Sequence, residues 1–354
     1  MSTKTVHRRN LVDKSQLERF DNQGMHKTYD SWPEIAVDAY EAPLKQIDYK
    51  DISHIVFAGM GGSGAINDIF ASILSKTKIH VSSIKSHLIP NNVDSDTLVV
   101  TTSISGNTME TLSILESAKK LGCKIISFAS GGKMQQFCDA YGIDHRNIPM
   151  IHSPRASFVS FLYSMLKVLE PVIPIRKEEV KESLNQLEKT GKEISSSNLT
   201  ETNPAMDLAA WITKIPLVYY PQGLQASAVR FKNSLQENAK LHVMIEEVGE
   251  ACHNGIVSWE IPSNVQPILV QGRDDHIQTK LRWKVFKQFF EQKGIDYKEV
   301  LSTNGSLLTK LMNLNYLFDY SSIYRAVLSE IEPSPISSVN YIKKNLLMNE
   351  NKYL

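Results

Sequence analysis

Apolar and polar positions alternate along this chain in two rhythms, and the rhythms change over several times. Residues 33–47 read as a helix opening at Pro33, with Ile35, Ala36, Ala39, Tyr40 and Leu44 at helical spacing. His54–Ala58 is a short apolar run ending in glycines, followed by a helical stretch over 65–75 and a β-rich Ile79–Ile84. The sequence repeats itself next: apolar Thr97–Thr102, a polar loop, a helix over Thr108–Leu121, and apolar Lys124–Ala129. Strand, turn, helix and strand in succession predict a parallel, doubly wound α/β sheet. A mostly apolar helix over 155–170 stops at Pro171 and Pro174, and a charged stretch follows, ending in Ser195-Ser196-Ser197-Asn198.

The second part uses the same grammar. Strands are expected at Leu217–Tyr220, Leu241–Ile245, Pro267–Gln271 and Tyr297–Leu301, with helices over 224–240, 277–292, 306–330 and 336–347. The reading is therefore a polar leader over 1–32, a first α/β half over 33–175, a connector over 176–204 and a second α/β half over 205–354. At 354 residues the chain is long enough for two cores of about 150 residues each.

Charge changes this picture little. With 39 basic and 38 acidic residues there is no electrostatic footprint for nucleic acid or an anionic membrane. The basic cluster His7-Arg8-Arg9 is short and terminal, which reads as a disordered leader. No stretch approaches the roughly 18 apolar residues of a membrane span, and the N-terminus lacks a signal peptide's apolar centre. Three scattered cysteines, Cys123, Cys138 and Cys252, suggest neither a disulfide framework nor a zinc site, so a cytoplasmic setting is expected. The ten histidines show no HxH or HExxH spacing.

Two loops carry the chemistry. Gly59-Met60-Gly61-Gly62-Ser63-Gly64 follows a strand and opens a helix, where glycines allow close approach and free N–H groups attract an anion. Alone it also matches the dinucleotide fingerprint, but the acid expected about 20 residues on is missing; the region reads Val81-Ser82-Ser83-Ile84-Lys85-Ser86, where Lys85 would suit only the extra phosphate of NADP. The second loop, Thr102-Ser103-Ile104-Ser105-Gly106-Asn107-Thr108, has no part in a dinucleotide fold. Its hydroxyls suit a phosphomonoester, whose three oxygens want short donors from several directions; a helix cap accounts for about one of them. Loops at the carboxyl ends of neighbouring parallel strands converge on one crevice, so Gly62, Ser63, Ser103, Ser105 and Thr108 are expected around one phosphate. The second half has no comparable loop: its strand 267–271 runs into Gly272-Arg273-Asp274-Asp275.

GMGGSGA followed by SISGNTMETL resembles the sugar isomerase (SIS) domain. The chain as a whole is similar to the archaeal-type bifunctional phosphoglucose/phosphomannose isomerases, from about Asp21-Asn22-Gln23-Gly24-Met25 to the last helix. Three further stretches carry the likeness: Ser153-Pro154-Arg155-Ala156, the run Arg230 to Lys240, and Pro333-Ser334-Pro335-Ile336 leading to Lys343. It departs from the pattern at Gln236, at Ile104 and around Val248–Ala251, none of which removes a matched functional group. The resemblance implies two flavodoxin-like SIS halves with mainly parallel sheets flanked by helices, and reversible isomerisation of glucose 6-phosphate, and of mannose 6-phosphate, with fructose 6-phosphate through a cis-enediol. It implies Glu237 as the base that moves a proton between C1 and C2, Arg155 steadying the enediolate, Lys343 near the ring oxygen, and His253 assisting ring opening across a homodimer interface. No cofactor and no metal are called for, and activity is expected to survive chelators.

Each of these side chains also has a plainer reading. Glu237 points away from the apolar face Ala228, Phe231, Leu235 and Ala239, alongside Arg230 and Asn233, which by itself describes a solvated helix face. His253 reads as a surface histidine and Lys343 beside Lys344 as solvated charge. The alternative function is a non-catalytic SIS module that senses a sugar phosphate; it would keep the loops without needing Glu237, His253 and Lys343 together. An NADP-dependent oxidoreductase would use the glycine loop and leave the SISGNT loop without a role.

Overall fold

The computed structural model describes residues 11–353, with backbone alone at 347 and 349–353. The cluster His7-Arg8-Arg9 lies outside the described residues.

Nine strands form two sheets. Five belong to the first: β1 (His54–Ala58), β2 (His80–Ile84), β3 (Leu98–Ser103), β4 (Lys124–Ala129) and β5 (Asp144–Asn147), in spatial order β2-β1-β3-β4-β5. The second holds β6 (Ile215–Tyr220), β7 (Met244–Glu247), β8 (Val265–Gln271) and β9 (Lys298–Leu301), in order β7-β6-β8-β9. All the pairings are parallel. The first order is that of flavodoxin-like sheets, and the second is the same order one strand shorter. Helices cross between consecutive strands, among them Gly61–Leu74, Met109–Lys120, Gln225–Asn238 and Ile277–Lys293.

Burial follows from composition. The central strands β1, β3 and β4 are apolar runs buried on both faces, as a sheet covered by helices on both sides requires. The edge strand β5 reads Asp-His-Arg-Asn, and in the other edge strand, β2, Ile84 alone is buried. In β1, Ile55 and Phe57 face one side while Val56 and Ala58 face the other, the period of two expected of a strand.

The halves share a core, whereas two separate cores were expected. Ile55, Phe57, Val100 and Phe128 from the first sheet belong to the same apolar cluster as Val218 and Ile268 from the second. Between the sheets lie the helices Phe158–Leu169, Gln225–Asn238 and Leu307–Leu328. Smaller clusters cover the outer face of each sheet.

Two segments read as peripheral are built into this core. Within the stretch expected as a polar leader, helices run over Lys14–Phe20 and Met25–Asp30, and Val12, Leu17, Met25, Tyr29 and Trp32 are buried. The physical reason is sparse but well-placed apolar content: Tyr29 stacks on Trp32 at 4.3 Å between ring centroids, and Trp32 stacks on Tyr316 at 5.3 Å. The stretch expected as a connector is for most of its length a helix, Lys177–Ile194, whose Val180, Leu187 and Ile194 are buried in the shared core.

Candidate active site

The first sheet reverses its winding between β1 and β3, and both chemistry-bearing loops leave it there. Gly59 closes the first loop against the second: a Cβ on it would lie 2.7 Å from the Thr102 carbonyl oxygen. Ser63 Oγ accepts the Ile104 N–H at 3.2 Å, so one loop hydrogen-bonds the other. Gly106 sits at φ +68°, where a Cβ would fall 1.8 Å from the Gly131 carbonyl oxygen. Asn107 Oδ1 accepts the Lys133 N–H at 3.1 Å, tying this turn to the next loop.

The helices Gly61–Leu74 and Met109–Lys120 both begin here, and neither start has a side-chain cap among the described residues. Their first N–H groups and positive dipole ends are therefore left facing the crevice. Ser103 is buried and its hydroxyl pairs with Thr108 Oγ1 at 2.8 Å. Ser105 and Thr108 are half-buried. Hydroxyls and backbone N–H groups, without a cation, make a cradle of the kind a phosphomonoester dianion fits.

Facing this cradle is a carboxylate held by a clamped arginine. Glu237 is in the last turn of Gln225–Asn238, half-buried, its Oε2 accepting from Arg155 Nη1 at 3.2 Å. The rest of the Arg155 guanidinium is taken up: Nε donates to Asn238 Oδ1 at 2.7 Å, and Nη2 to the carbonyls of Pro333 at 2.8 Å and Ser334 at 2.9 Å. Of five N–H donors, one on Nη1 is left without a partner among the described residues. The arginine's main chain is fixed as well. Its carbonyl accepts from Arg230 Nη2 at 3.0 Å and from Tyr29 Oη at 3.5 Å, and the next carbonyl, of Ala156, accepts from Trp32 Nε1 at 2.9 Å. The N-terminal helices thus help to fix this arginine.

Arg230 is locked by Asp319 at 2.5 Å, with Ser234 donating to the other carboxylate oxygen at 2.5 Å. Burial raises the Asp319 carboxyl, and Arg230 and Ser234 offset only part of that rise. Lys240, two residues past the helix, donates to the carbonyls of Glu237, Pro335 and Pro333 at 2.5, 2.7 and 3.2 Å. Burial pulls its ammonium group down, and the neighbouring Arg155 charge adds to this.

A cavity of about 510 Å³ opens between these parts, lined by Gly62, Ser63, Ser105, Thr108, Arg155, Glu237 and Lys343. Lys343 comes from the helix Ser337–Tyr353, which gives one wall. Two expected site residues are not on its lining. Ser103 stands behind Thr108. His253 is exposed on the loop after Val248–Ala251, and its N–H is bound to the Glu250 carbonyl at 2.9 Å. Among the described residues no group of three or more His, Cys, Asp or Glu side chains is placed to hold a metal ion.

Residues 48–167 match the SIS domain family model, and residues 201–346 match that of the bacterial phospho-glucose isomerase C-terminal SIS domain. Over 330 residues the chain is 31% identical to the bifunctional phosphoglucose/phosphomannose isomerase of Caldicellulosiruptor bescii, covering 89% of this chain and 96% of that one. The chain belongs to the phosphoglucose/phosphomannose isomerase family. The Aquifex aeolicus member is 29% identical over 321 residues, covering 86% of this chain and 96% of that one. The fold is shared more widely: the crystal structure of tagatose-6-phosphate ketose/aldose isomerase from Escherichia coli superimposes with a TM-score of 0.63 at 13% identity, covering 90% of this chain and 93% of that one.

Within this family frame, sequence reasoning missed the residues that hold the site together. Asn238, Arg230 and Asp319 touch Arg155 directly or through one another, and Lys240 binds three carbonyls. A signal was present. Arg230, Ser234 and Asn238 recur every fourth residue, a buried polar stripe beside the apolar one, and the buried Asp319 and Ser322 of the helix Leu307–Leu328 meet it. Also missed was the apolar wall of Ile336, Val339, Ile342 and Leu346 beside the cradle.

Proposed function

We propose that this protein reversibly isomerises glucose 6-phosphate, and mannose 6-phosphate, with fructose 6-phosphate by proton transfer at Glu237. The observation that carries the reading is one cavity with a glycine-and-hydroxyl anion cradle on one side and the Arg155–Glu237 pair on the other. The relatives named as phosphoglucose/phosphomannose isomerases support the substrate class.

In this reading the phosphate sits on the N–H groups of 61–63 and the hydroxyls of Ser105 and Thr108, with Ser103 keeping the Thr108 hydroxyl in place. Anchored there, the sugar places C1 and C2 against Glu237. The carboxylate takes the C2 proton of the aldose to give an enediolate charged at O1, the O2 proton passes to O1, and the carboxylate returns its proton to C1 as the carbonyl forms at C2. The unpartnered N–H of Arg155 Nη1 faces the developing oxyanion; because the other donors are tied down, little reorganisation is needed. His253 serves ring opening, a task suited to histidine, and Lys343 stands near the ring oxygen. Because His253 lies off this chain's own cavity, we infer a homodimer whose partner supplies it, in the cytosol.

Fructose 6-phosphate supplied with excess chelator tests this, glucose 6-phosphate and mannose 6-phosphate being followed separately. Formation of both is the expected result, and one alone narrows the substrate. No product from protein that still binds the sugar phosphate would support the sensing module instead.

A further inference from the structure

The helix Ser337–Tyr353 carries Lys343 yet has few ties to the body of the protein. Every residue from 337 to 344 is exposed, and among the described residues none of their side chains hydrogen-bonds elements outside the helix. What fixes it is the turn before it. Pro333 and Pro335 stiffen that turn, and its carbonyls point at two cations: Arg155 takes those of Pro333 and Ser334, and Lys240 takes those of Pro333 and Pro335.

Lys240 is odd for where it stands. Its φ of +57° places it in the left-handed region just after a helix, a position glycine or asparagine ordinarily fills. A lysine there strains the backbone and does nothing for the helix end that a glycine would not. Its side chain does something else: besides the two proline carbonyls it binds the carbonyl of Glu237. Among the described residues no carboxylate lies within ion-pair distance of it, and Glu237 and Glu332 act on it only from further off. One ammonium group thus joins the main chain of the candidate base, the carbonyl it shares with the candidate oxyanion donor, and the turn that aims Lys343.

We propose that Lys240 is a positioning residue, clamping the Pro333–Pro335 turn so that the C-terminal helix holds Lys343 over the cavity. The catalytic half of this rests on the reading of Lys343 given above; the clamp itself does not. Lys240→Asn and Lys240→Gly both suit the left-handed backbone and remove the clamp, so either variant keeps the fold.

The test is hydrogen exchange of the 337–346 amides beside steady-state kinetics on fructose 6-phosphate. In both variants exchange over 337–346 rises about tenfold or more while β1 and β3 stay protected. With it kcat falls about tenfold to a hundredfold, as a misplaced group costs, and KM barely moves. Lys240→Asn combined with Lys343→Met is no slower than Lys343→Met alone, whereas independent effects would multiply. Lys240→Arg, which keeps a long cation, recovers part of kcat. Exchange unchanged from the parent protein, or effects that multiply, would overturn the proposal. Raised exchange with a fully active Lys343→Met supports the clamp and removes Lys343 from the chemistry.

Discussion

Set side by side, the two sheets wind alike and do different things where their winding reverses. Between β1 and β3 the loops present glycines, hydroxyls and uncapped helix starts. Between β6 and β8, the matching crevice of about 350 Å³ presents Asp274, Asp275, His276 and Lys310. There the polar groups satisfy one another. Lys310 pairs with Asp274 at 2.5 Å, and Asp275 accepts the Gly272 N–H at 3.0 Å and Trp283 Nε1 at 3.1 Å. Burial pushes the Asp275 carboxyl up, and a phosphate brought in beside two carboxylates would be repelled. One topology thus yields a candidate anion cradle or a closed ion-pair cluster according to a few loop residues. The second half serves the site from elsewhere, through the far end of the helix after β6, which carries Glu237, and through the segment from Pro333 onward.

The largest effect expected from this division is at Glu237. Glu237→Gln keeps the shape and the contact with Arg155 and removes the proposed base, so kcat should drop about a thousandfold, within the usual reach of general base catalysis. KM for fructose 6-phosphate stays within a few-fold, because the cradle belongs to the other half. Near-normal turnover would return Glu237 to the solvated helix face its sequence suggests.

Next in size is the cradle against its counterpart. Ser105→Ala with Thr108→Ala removes two hydroxyl donors to a dianion, each worth about 1.5–3 kcal/mol, and KM should rise at least tenfold. Asp275→Asn in the β6–β8 crevice should leave KM and kcat alone while lowering the melting temperature slightly. If the second substitution moved KM and the first did not, the two crevices would have exchanged roles. Steady-state kinetics on the three proteins decide it.

The same contrast shows what a sequence displays. The central strands were legible because β1, β3 and β4 each hold a short, mostly apolar run, and the two loops because their residue types are unusual at strand ends. The polar edge strand β5 and the helix Gly132–Tyr141 before it gave no such signal, since an edge buries little. The N-terminal helices were read as a leader because a few large residues, Tyr29 and Trp32 above all, replace a repeating stripe. Around the candidate site, the side chains proposed to touch ligand stood out in their motifs. Those that hold them did not, since a lysine bound to main-chain carbonyls or an asparagine bound to an arginine has partners up to 95 residues away in the chain that no local pattern announces.

The smallest effect separates the halves by pH. In the first sheet, burial lowers the affinity of His54 for a proton, with the nearby His80 adding to this; the rings lie 4.7 Å apart on paired strands. Burial does the same to His145, whose two ring nitrogens lack partners among the described residues. The histidines of the second half, His242, His253 and His276, are all exposed. A histidine whose affinity is lowered by folding favours the neutral form. Its contribution is complete above the unfolded value of about 6.5 and is lost as pH falls through that value toward the lower folded one. Taking the protein from pH 7.5 to 5.5 should therefore loosen the first sheet before the second, seen as faster hydrogen exchange in β1 and β4 than in β6 and β8. His54→Gln with His145→Gln should shrink that difference. If acid loosened both sheets equally in the parent protein, and equally in the double variant, the shared core would be setting the stability of both halves and their apparent independence at the two crevices would end at chemistry.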